Sequence, residues 1–338
     1  MNSVTIVLTA KQKVELGQEK IAPLTKDSLL VKTRKSLISS GTESICFNSD
    51  MDEGSHWDGW VKYPFYLGYS NVGEIIDTGR QVGNYNIGDR VFSSTSHRQF
   101  AILTGNPVKI PPDISDESAL WSKLATIAQT GVRRAEIKMG ARALIIGAGP
   151  LGQLLSQYVQ LMGAETVMMI DPIESRLKVA LDHGATEIFA GNASEALSFV
   201  EENTNGNLAD VVFDATGHFS VFPMALKLTR RFGTLILIGD SPHPSKQTLT
   251  ADVLTRQITI RGTHNEIMPP HVENWTTSRQ IELFFTYIKR KQMKVEDLIT
   301  ETYSPENAPD VYSQLAESRG ESIGVVFDWD QIISSTKT

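Results

Sequence analysis

Three glycines and one acidic residue in the middle of the chain have the types and spacing of a nucleotide-binding turn. Gly147, Gly149 and Gly152 follow the apolar run 143–146, and Asp171 comes about 20 residues after them. We expect Gly147 to permit a tight turn, Gly149 to let the backbone approach a pyrophosphate, and Gly152 to let a helix pack closely on the strand. The N–H groups that begin such a helix suit phosphates. The pattern therefore predicts redox chemistry with a nicotinamide or a flavin.

Asp171 also bears on the choice of nucleotide. A carboxylate at this place accepts hydrogen bonds from both ribose hydroxyls and repels a 2′-phosphate, so it favours NAD over NADP. Arg176 follows shortly afterwards and keeps NADP open, because a guanidinium can reach a phosphate or stack on adenine. The turn and the ends of the later strands supply the remaining predicted cofactor contacts, which are Pro150, Leu151, Ala215, Thr216 and Gly239.

The chain around this turn divides into two kinds of pattern. Residues 1–122 alternate short apolar runs with turn residues, which is typical of a partly closed antiparallel barrel. From residue 123 helical periods alternate with short apolar strands, which predicts an α/β domain with a doubly wound parallel sheet. Those strands are predicted at 143–146, 166–170, 210–213, 234–238 and 257–260. The tail from 303 is expected to carry a helix near 308–318 and a strand at 323–329 that rejoins the first domain.

The composition excludes several classes of protein. The 338 residues carry a net charge of −7, which argues against nucleic acid as the main partner. No apolar run is long enough to cross a membrane, and the N-terminus has a strand-like rather than a signal-peptide pattern. The single cysteine, Cys46, excludes internal disulfides and thiolate-rich zinc clusters. We therefore expect a cytoplasmic enzyme.

Several motifs together resemble the medium-chain dehydrogenase/reductase superfamily over nearly the whole chain. Besides the glycine turn they are Ser40-Gly41-Thr42-Glu43, Leu67-Gly68-Tyr69-Ser70 with Gly73-Glu74, and Ile87-Gly88-Asp89-Arg90-Val91. The resemblance implies a GroES-like β-barrel domain from 1–122 and 303–338 and a Rossmann domain from 123–302. It also implies hydride transfer to or from NAD(P) by a homodimer or homotetramer.

The zinc positions of that superfamily depart from its pattern. Where zinc-dependent members hold the catalytic metal with cysteine, histidine and a third ligand, this chain has Ser40, Tyr69 and Ser122, with Ser70 in place of the neighbouring glutamate. Neutral hydroxyls are poor zinc ligands. His56, together with His97 and Glu43, lacks ligand spacing. We therefore predict no zinc at the catalytic or the structural site.

Without a metal, oxidation of an alcohol needs a base within reach of the hydroxyl. Tyr69 and Lys123 are the first candidates for handling the proton, since a desolvated lysine can have a lowered pKa. His97 comes next, near the active cleft as in zinc-lacking relatives, then Glu43, with Ser40 in the same pocket. Each also has a structural interpretation: Tyr69 as filler of the vacated metal site, Lys123 as a solvated residue, His97 as a core histidine and Glu43 as a loop brace.

Other residues are candidates for lining the substrate site. His264 and Asn265 follow a strand end that the family places near the nicotinamide, although they also fit an ordinary loop. Four aromatic residues can stack on a sugar or another flat substrate, or simply pack. They are Trp57, Trp60, Tyr63 and Trp275.

The leading hypothesis is a zinc-independent oxidoreductase that interconverts a secondary alcohol and a ketone with NAD(H), on a sugar, polyol or cyclitol. One alternative is an NADPH-dependent quinone or enoyl reductase, which Asp171 disfavours. Another is an enzyme that keeps NAD bound and oxidises its substrate transiently for elimination or epimerisation. A nucleotide-binding sensor or structural protein is the non-enzyme alternative.

Overall fold

The computed structural model describes residues 2–264, 267–317, 320 and 322–332, and its chain divides into two compact units. The first unit contains residues 1–50, 56–123 and 284–338, and the second contains 51–55 and 124–283. Asn265 and Ser318, which carried sequence predictions, lie outside the described residues.

The first unit is built mainly from antiparallel strands. Its described strands are β1 (Asn2–Ala10), β2 (Lys13–Lys20), β3 (Ser28–Ile38), β4 (Phe65–Tyr66), β5 (Asn71–Thr78), β6 (Arg90–Ser93), β7 (Phe100–Thr104), β8 (Val108–Lys109), β15 (Ile299–Tyr303) and β16 (Gly324–Asp328). One sheet has the order β2-β1-β4, and the other has the order β15-β16-β3-β5-β6-β8 with β7 also paired to β3. The predicted return of the tail is confirmed, because β16 pairs antiparallel with β3.

The long strand β3 organises this unit because it pairs with β5, β7 and β16. Its apolar side chains Leu29 and Val31 pack with Ile75 and Val91 in a buried cluster. The helices that accompany these strands are α1 (Ser40–Asn48), α2 (His56–Trp60), α3 (Asp116–Leu120) and α11 (Ala308–Glu317). Helix α1 begins two residues after β3 ends, so the sequence 39–43 lies at the end of the central strand.

The second unit is a parallel α/β domain, as predicted. Its sheet has the order β11-β10-β9-β12-β13-β14, and every described pair is parallel. The strands are β9 (Arg142–Ile146), β10 (Thr166–Asp171), β11 (Glu187–Ala190), β12 (Ala209–Asp214), β13 (Thr229–Leu237) and β14 (Thr259–Gly262). Its helices are α5 (Pro150–Leu161), α6 (Glu174–Asp182), α7 (Leu197–Glu202), α8 (Val221–Leu228) and α9 (Asp252–Thr255), while α4 (Ser122–Ala135) and α10 (Thr277–Lys289) cross the unit boundaries. Strands buried on both faces explain the continuous apolar runs in the sequence.

Three details differ from the sequence predictions. Strand β11 was not predicted, because its half-exposed Glu187–Ala190 run lacks a buried apolar pattern. Strand β14 lies two residues later than the predicted 257–260. Residues 284–302 group with the first unit, because β15 pairs with β16 and the Glu296 carboxylate accepts hydrogen bonds from Ser115 and Ser118 of that unit.

The glycine turn between β9 and α5 has the geometry that its spacing predicts. Gly147 has a φ of +105°, which a side chain would strain. A Cβ on Gly152 would lie 1.9 Å from the Gly147 carbonyl oxygen, whereas a Cβ on Gly149 would meet nothing within 4 Å. The helix therefore packs tightly on the strand at Gly152, and space is open beside Gly149.

These contacts predict opposite effects of two alanine substitutions on stability. Gly152→Ala forces the helix off the strand and should destabilise the second unit by about 1–3 kcal/mol, since overpacking outweighs the gain in helix propensity. Gly149→Ala, its matched control, should leave the melting temperature nearly unchanged. Calorimetric melting of both variants measures the difference, and equal melting temperatures would contradict the tight packing at Gly152.

Candidate active site

The turn before helix α5 offers a place for an anionic ligand. Helix α5 begins at Pro150, and its N-cap residue is Gly149. The first helical hydrogen bond at this end is donated by Gln153 N to the Gly149 carbonyl, so Leu151 N and Gly152 N precede the helical ladder. Together with the open space beside Gly149, these N–H groups fit the pyrophosphate of a dinucleotide.

Asp171 ends β10 next to this turn and is held rigidly. One carboxylate oxygen accepts a hydrogen bond from Ala148 N at 2.8 Å, and the other accepts one from Ile173 N at 2.8 Å. The residue is only 6% exposed. The carboxylate is thus fixed at the end of β10. In dinucleotide-binding folds the acid that hydrogen-bonds the adenosine ribose lies at the end of the corresponding strand. Arg176 follows in α6, and its carbonyl accepts a hydrogen bond from the Gln153 side chain.

The loops after β12 and β13 meet beside the glycine turn. The carboxylate of Asp214, at the end of β12, accepts hydrogen bonds from Thr216 N, Thr216 Oγ1 and Gly217 N. A Cβ on Gly239, after β13, would lie 2.4 Å from Gly217 N, so the two loops touch. Burial raises the pKa of Asp214, although these hydrogen bonds oppose the rise. Asp214 therefore shapes the carboxyl ends of these strands, a role that its sequence position alone did not reveal.

In the first unit three hydroxyl groups come together at the end of β3. The Tyr69 hydroxyl donates to Ser39 Oγ and contacts Thr42 Oγ1 at 3.1 Å. We call Ser39, Thr42 and Tyr69 the hydroxyl cluster. Desolvation raises the pKa of Tyr69 to about 12, and the hydrogen bonds with Ser39 and Thr42 offset only part of the rise. Tyr69 is therefore a neutral phenol at physiological pH.

The serines at the other zinc positions point their hydroxyls at the backbone. Ser70 Oγ donates to the Leu120 carbonyl, and Ser122 Oγ donates to the Ala119 carbonyl at 2.7 Å. Ser40 is the first residue of α1. Within residues 2–264, 267–317, 320 and 322–332, no group of three His, Cys, Asp or Glu side chains is placed to hold a metal ion.

Lys123 is the second residue of α4 and is only 9% exposed. Its predicted role in handling the substrate proton together with Tyr69 stays a prediction. The solvated interpretation of Lys123 does not fit its burial. Lys123 remains a candidate base, and Tyr69 a hydrogen-bonding group rather than a base.

His97 and Glu43 lie in the core, which corrects the expectation that His97 borders an open cleft. The two residues are 0% and 2% exposed, and His97 Nε2 lies 3.1 Å from Glu43 Oε2. The same Glu43 oxygen accepts a hydrogen bond from the Tyr312 hydroxyl, and Oε1 accepts one from Ser39 N at 2.7 Å. With every carboxylate oxygen occupied, Glu43 acts as a brace. Tyr312 was missed by the sequence reasoning, because nothing local relates α11 to α1.

The predicted aromatic residues have different environments. Trp275 lies between the guanidinium groups of Arg133 and Arg279, 3.4 and 3.9 Å from its centroid, so its faces are not open to a substrate. Trp57 is buried, whereas Trp60 is 49% exposed and packs edge-on against Phe65.

Two further predicted residues are placed without a defined role. Tyr63 is partly exposed and its hydroxyl is hydrogen-bonded to Ser49. His264 lies on an exposed stretch after β14.

Among the helices that the structure describes, none has both the length and the apolar composition to cross a bilayer.

Comparisons with known proteins agree with this architecture. A family model described as zinc-binding dehydrogenase matches residues 150–270. The D-guloside 3-dehydrogenase of Escherichia coli (strain K12) is 24% identical, with 95% of this chain and 99% of that protein covered.

Two solved structures have the same fold. An NADP-bound dehydrogenase from Sinorhizobium meliloti 1021 superposes with a TM-score of 0.80 at 20% identity, covering 97% of this chain and 99% of the other. An alcohol dehydrogenase from Escherichia coli CFT073 complexed with NADH has a TM-score of 0.80 at 19% identity, with the same coverage. Because the two bind different nucleotides, the fold alone does not fix the choice between NAD and NADP.

The similarity to dehydrogenases thus extends along almost the whole chain, both in sequence and in fold. The comparisons support the medium-chain dehydrogenase/reductase superfamily and an NAD(P)-dependent oxidoreductase that acts on alcohols.

Proposed function

We propose that this protein interconverts a secondary alcohol and a ketone with NAD(H), without zinc, on a sugar, polyol or cyclitol. The observation that supports the proposal is the hydroxyl cluster, whose Tyr69 stands at a position that the family resemblance assigns to a metal ligand in zinc-dependent members. Bound NAD supplies the hydride acceptor. The side chains of this protein then have to hold the substrate oxygen and accept its proton.

The cofactor preference rests on Asp171. Its carboxylate is fixed by two backbone N–H groups and has lone pairs left for the ribose hydroxyls. A 2′-phosphate at the same place would bring like charges together in a site that is only 6% exposed. NAD is therefore the better fit.

We assign to the hydroxyl cluster the role of hydrogen-bonding the substrate oxygen. A neutral phenol with a pKa of about 12 does not accept the proton as phenolate, but it is a fixed hydrogen-bonding group for a substrate hydroxyl. We assign the proton acceptor to Lys123, which is almost fully buried beside Ser122. Lysine is one of the side chains that can serve as a general base at a reacting hydroxyl.

The substrate class rests on two supports. The D-guloside 3-dehydrogenase of Escherichia coli covers nearly the whole chain, and its name describes oxidation of a sugar derivative. The half-exposed ring of Trp60, supported by Phe65, offers an aromatic face of the kind on which sugar rings stack. A small polar substrate with a secondary hydroxyl fits both.

We also propose a cytoplasmic homodimer or homotetramer. Strand β14 is the last described strand of the parallel sheet and pairs on one side with β13. Its other edge is suited to pairing with a second copy of the chain. The net charge of −7 speaks against a nucleic-acid partner.

A screen of alcohols tests the reaction itself. Purified protein is given polyols, sugars, glycosides, cyclitols and sugar phosphates with NAD or NADP, and reduced nicotinamide is followed by its absorbance. We expect NAD-dependent oxidation of at least one secondary alcohol. Reduction of quinones or enones with NADPH, with no oxidation of any alcohol, would favour the reductase alternative instead.

Asp171→Ser tests the nucleotide preference. Loss of hydrogen bonds to a charged group costs about 1.5–3 kcal/mol, so NAD should bind roughly 10- to 100-fold more weakly while NADP improves relative to it. Dissociation constants are measured by calorimetry. Asp182→Ser, on the exposed end of α6, serves as the control and should change neither constant. An unaltered NAD/NADP ratio would remove Asp171 from the ribose site.

Tyr69→Phe tests the substrate end. Turnover should fall by about 100-fold, because a fixed hydrogen-bonding group is lost, while NADH affinity stays within twofold. The Tyr69 pKa of about 12 exceeds 10, so the phenol stays protonated and no limb of the pH–rate profile below pH 10 belongs to it. Such a limb should therefore persist in Tyr69→Phe, while Lys123→Met should lose turnover because the proposed proton acceptor is gone.

Two results would contradict this assignment. Full turnover in Tyr69→Phe would make Tyr69 a filler of the pocket. Full turnover in Lys123→Met would remove Lys123 as the proton acceptor.

A further inference from the structure

We propose that His97 and Tyr312 are positioning residues: acting through the Glu43 carboxylate, they hold the two turns that carry the hydroxyl cluster. The inference rests on the proposed function, which gives that cluster its task at the substrate oxygen. The side-chain hydrogen bonds of His97 and Tyr312 go to Ser36 and Glu43 rather than to the hydroxyls of the cluster. Both residues act through the buried Glu43 carboxylate, and His97 also acts through its packing against Gly68.

The first turn is the start of α1, and Glu43 holds it. Glu43 Oε1 accepts a hydrogen bond from Ser39 N at 2.7 Å, while Glu43 N donates to the Ser39 carbonyl at 2.9 Å. This reciprocal pair fixes the residues between them, including Thr42. A carboxylate at a helix N-terminus is also favoured by the helix dipole. The hydroxyls of Ser39 and Thr42 are thereby set relative to each other.

The second turn is 67–69, and His97 holds it from behind. His97 N donates to the Leu67 carbonyl at 2.7 Å. Gly68 has a φ of +92°, and a Cβ on it would lie 2.5 Å from the imidazole ring. The ring therefore lies directly against the backbone of the residue before Tyr69. Any movement of the ring moves the point from which the Tyr69 side chain extends.

The imidazole of His97 joins the two turns, because it packs against Gly68 and is also hydrogen-bonded to Glu43. His97 Nε2 lies 3.1 Å from Glu43 Oε2, and His97 Nδ1 lies 2.8 Å from Ser36 Oγ. Ser36 Oγ also accepts a hydrogen bond from Trp329 Nε1 at 2.8 Å. Since Trp329 supplies that donor, the Ser36 hydroxyl proton is available to Nδ1, which leaves the ring proton on Nε2 facing Glu43.

Tyr312 provides a further hydrogen bond to the Glu43 carboxylate. Its hydroxyl donates to Glu43 Oε2, its ring stacks on Phe47 of α1, and it is only 2% exposed. Burial, together with the nearby Glu43 charge, raises the pKa of Tyr312 well above its usual value, so it stays a donor. A buried carboxylate that loses one donor either moves toward another or draws in water. Either change is passed to Ser39 and from there to Tyr69.

The test compares two tyrosine-to-phenylalanine variants that remove the same kind of bond. Tyr312→Phe removes the donor to Glu43. Tyr303→Phe removes a hydrogen bond to Glu301 on β15, in the same unit but outside this network, and is the control. Tyrosines are labelled with ¹³C at Cζ, and the Tyr69 resonance is assigned by its absence in Tyr69→Phe. This readout needs neither substrate nor cofactor.

We expect Tyr312→Phe to shift the Tyr69 Cζ resonance and Tyr303→Phe to leave it in place. With a substrate from the alcohol screen, Tyr312→Phe should lower kcat by about 10- to 100-fold through misplacement of the cluster, with NADH affinity within twofold of the parent. In a Tyr69→Phe background, Tyr312→Phe should lower kcat by less than about twofold more, because the two act through one group. His97→Gln keeps a donor for Glu43 and should retain more turnover than His97→Leu.

An unshifted Tyr69 resonance and an unchanged kcat in Tyr312→Phe would overturn the proposal. So would a kcat loss of equal size in the Tyr69→Phe background, because that loss would then reflect general destabilisation. Failure of the proposed function looks different. In that case Tyr69→Phe keeps full turnover, while Tyr312→Phe still shifts the Tyr69 resonance.

Discussion

The buried hydrogen bond between His97 and Glu43 is the constraint on which the substrate end depends. A carboxylate that is 2% exposed must have its oxygens satisfied, and here Ser39, His97 and Tyr312 satisfy them. These partners come from distant parts of the chain, so the Glu43 carboxylate joins the start of α1 to His97 and to helix α11. The hydroxyl cluster lies on this support, and its geometry is a property of the core.

The cofactor end is built on a different principle. It relies on backbone conformation, namely a glycine with a φ of +105°, a helix packed so closely that a Cβ would lie 1.9 Å from a carbonyl oxygen, and a carboxylate fixed by two N–H groups. Such features depend on neighbours in sequence. The turn and the parallel sheet were therefore predictable from the sequence. The substrate end depends on side chains that meet only after folding.

That difference explains what the sequence could not reveal. Tyr312 is separated from Glu43 by 269 residues, and no local pattern relates them. His97 was expected at a cleft, but burial between Ser36 and Glu43 places it in the core. Trp275 is of a residue type that can stack on a sugar ring, yet the guanidinium groups of two arginines lie over its ring. In each case the sequence shows the residue type, but the contact partners are set by packing between distant parts of the chain.

In the proposed function, hydroxyl groups replace a Lewis acid at the substrate oxygen. The most direct measurement is the metal content of fully active protein, determined by elemental analysis alongside kcat before and after dialysis against a chelator. Zinc-independent oxidation predicts far less than one transition-metal ion per chain and an unchanged kcat. One ion per chain, lost together with activity and restored by added zinc, would contradict it.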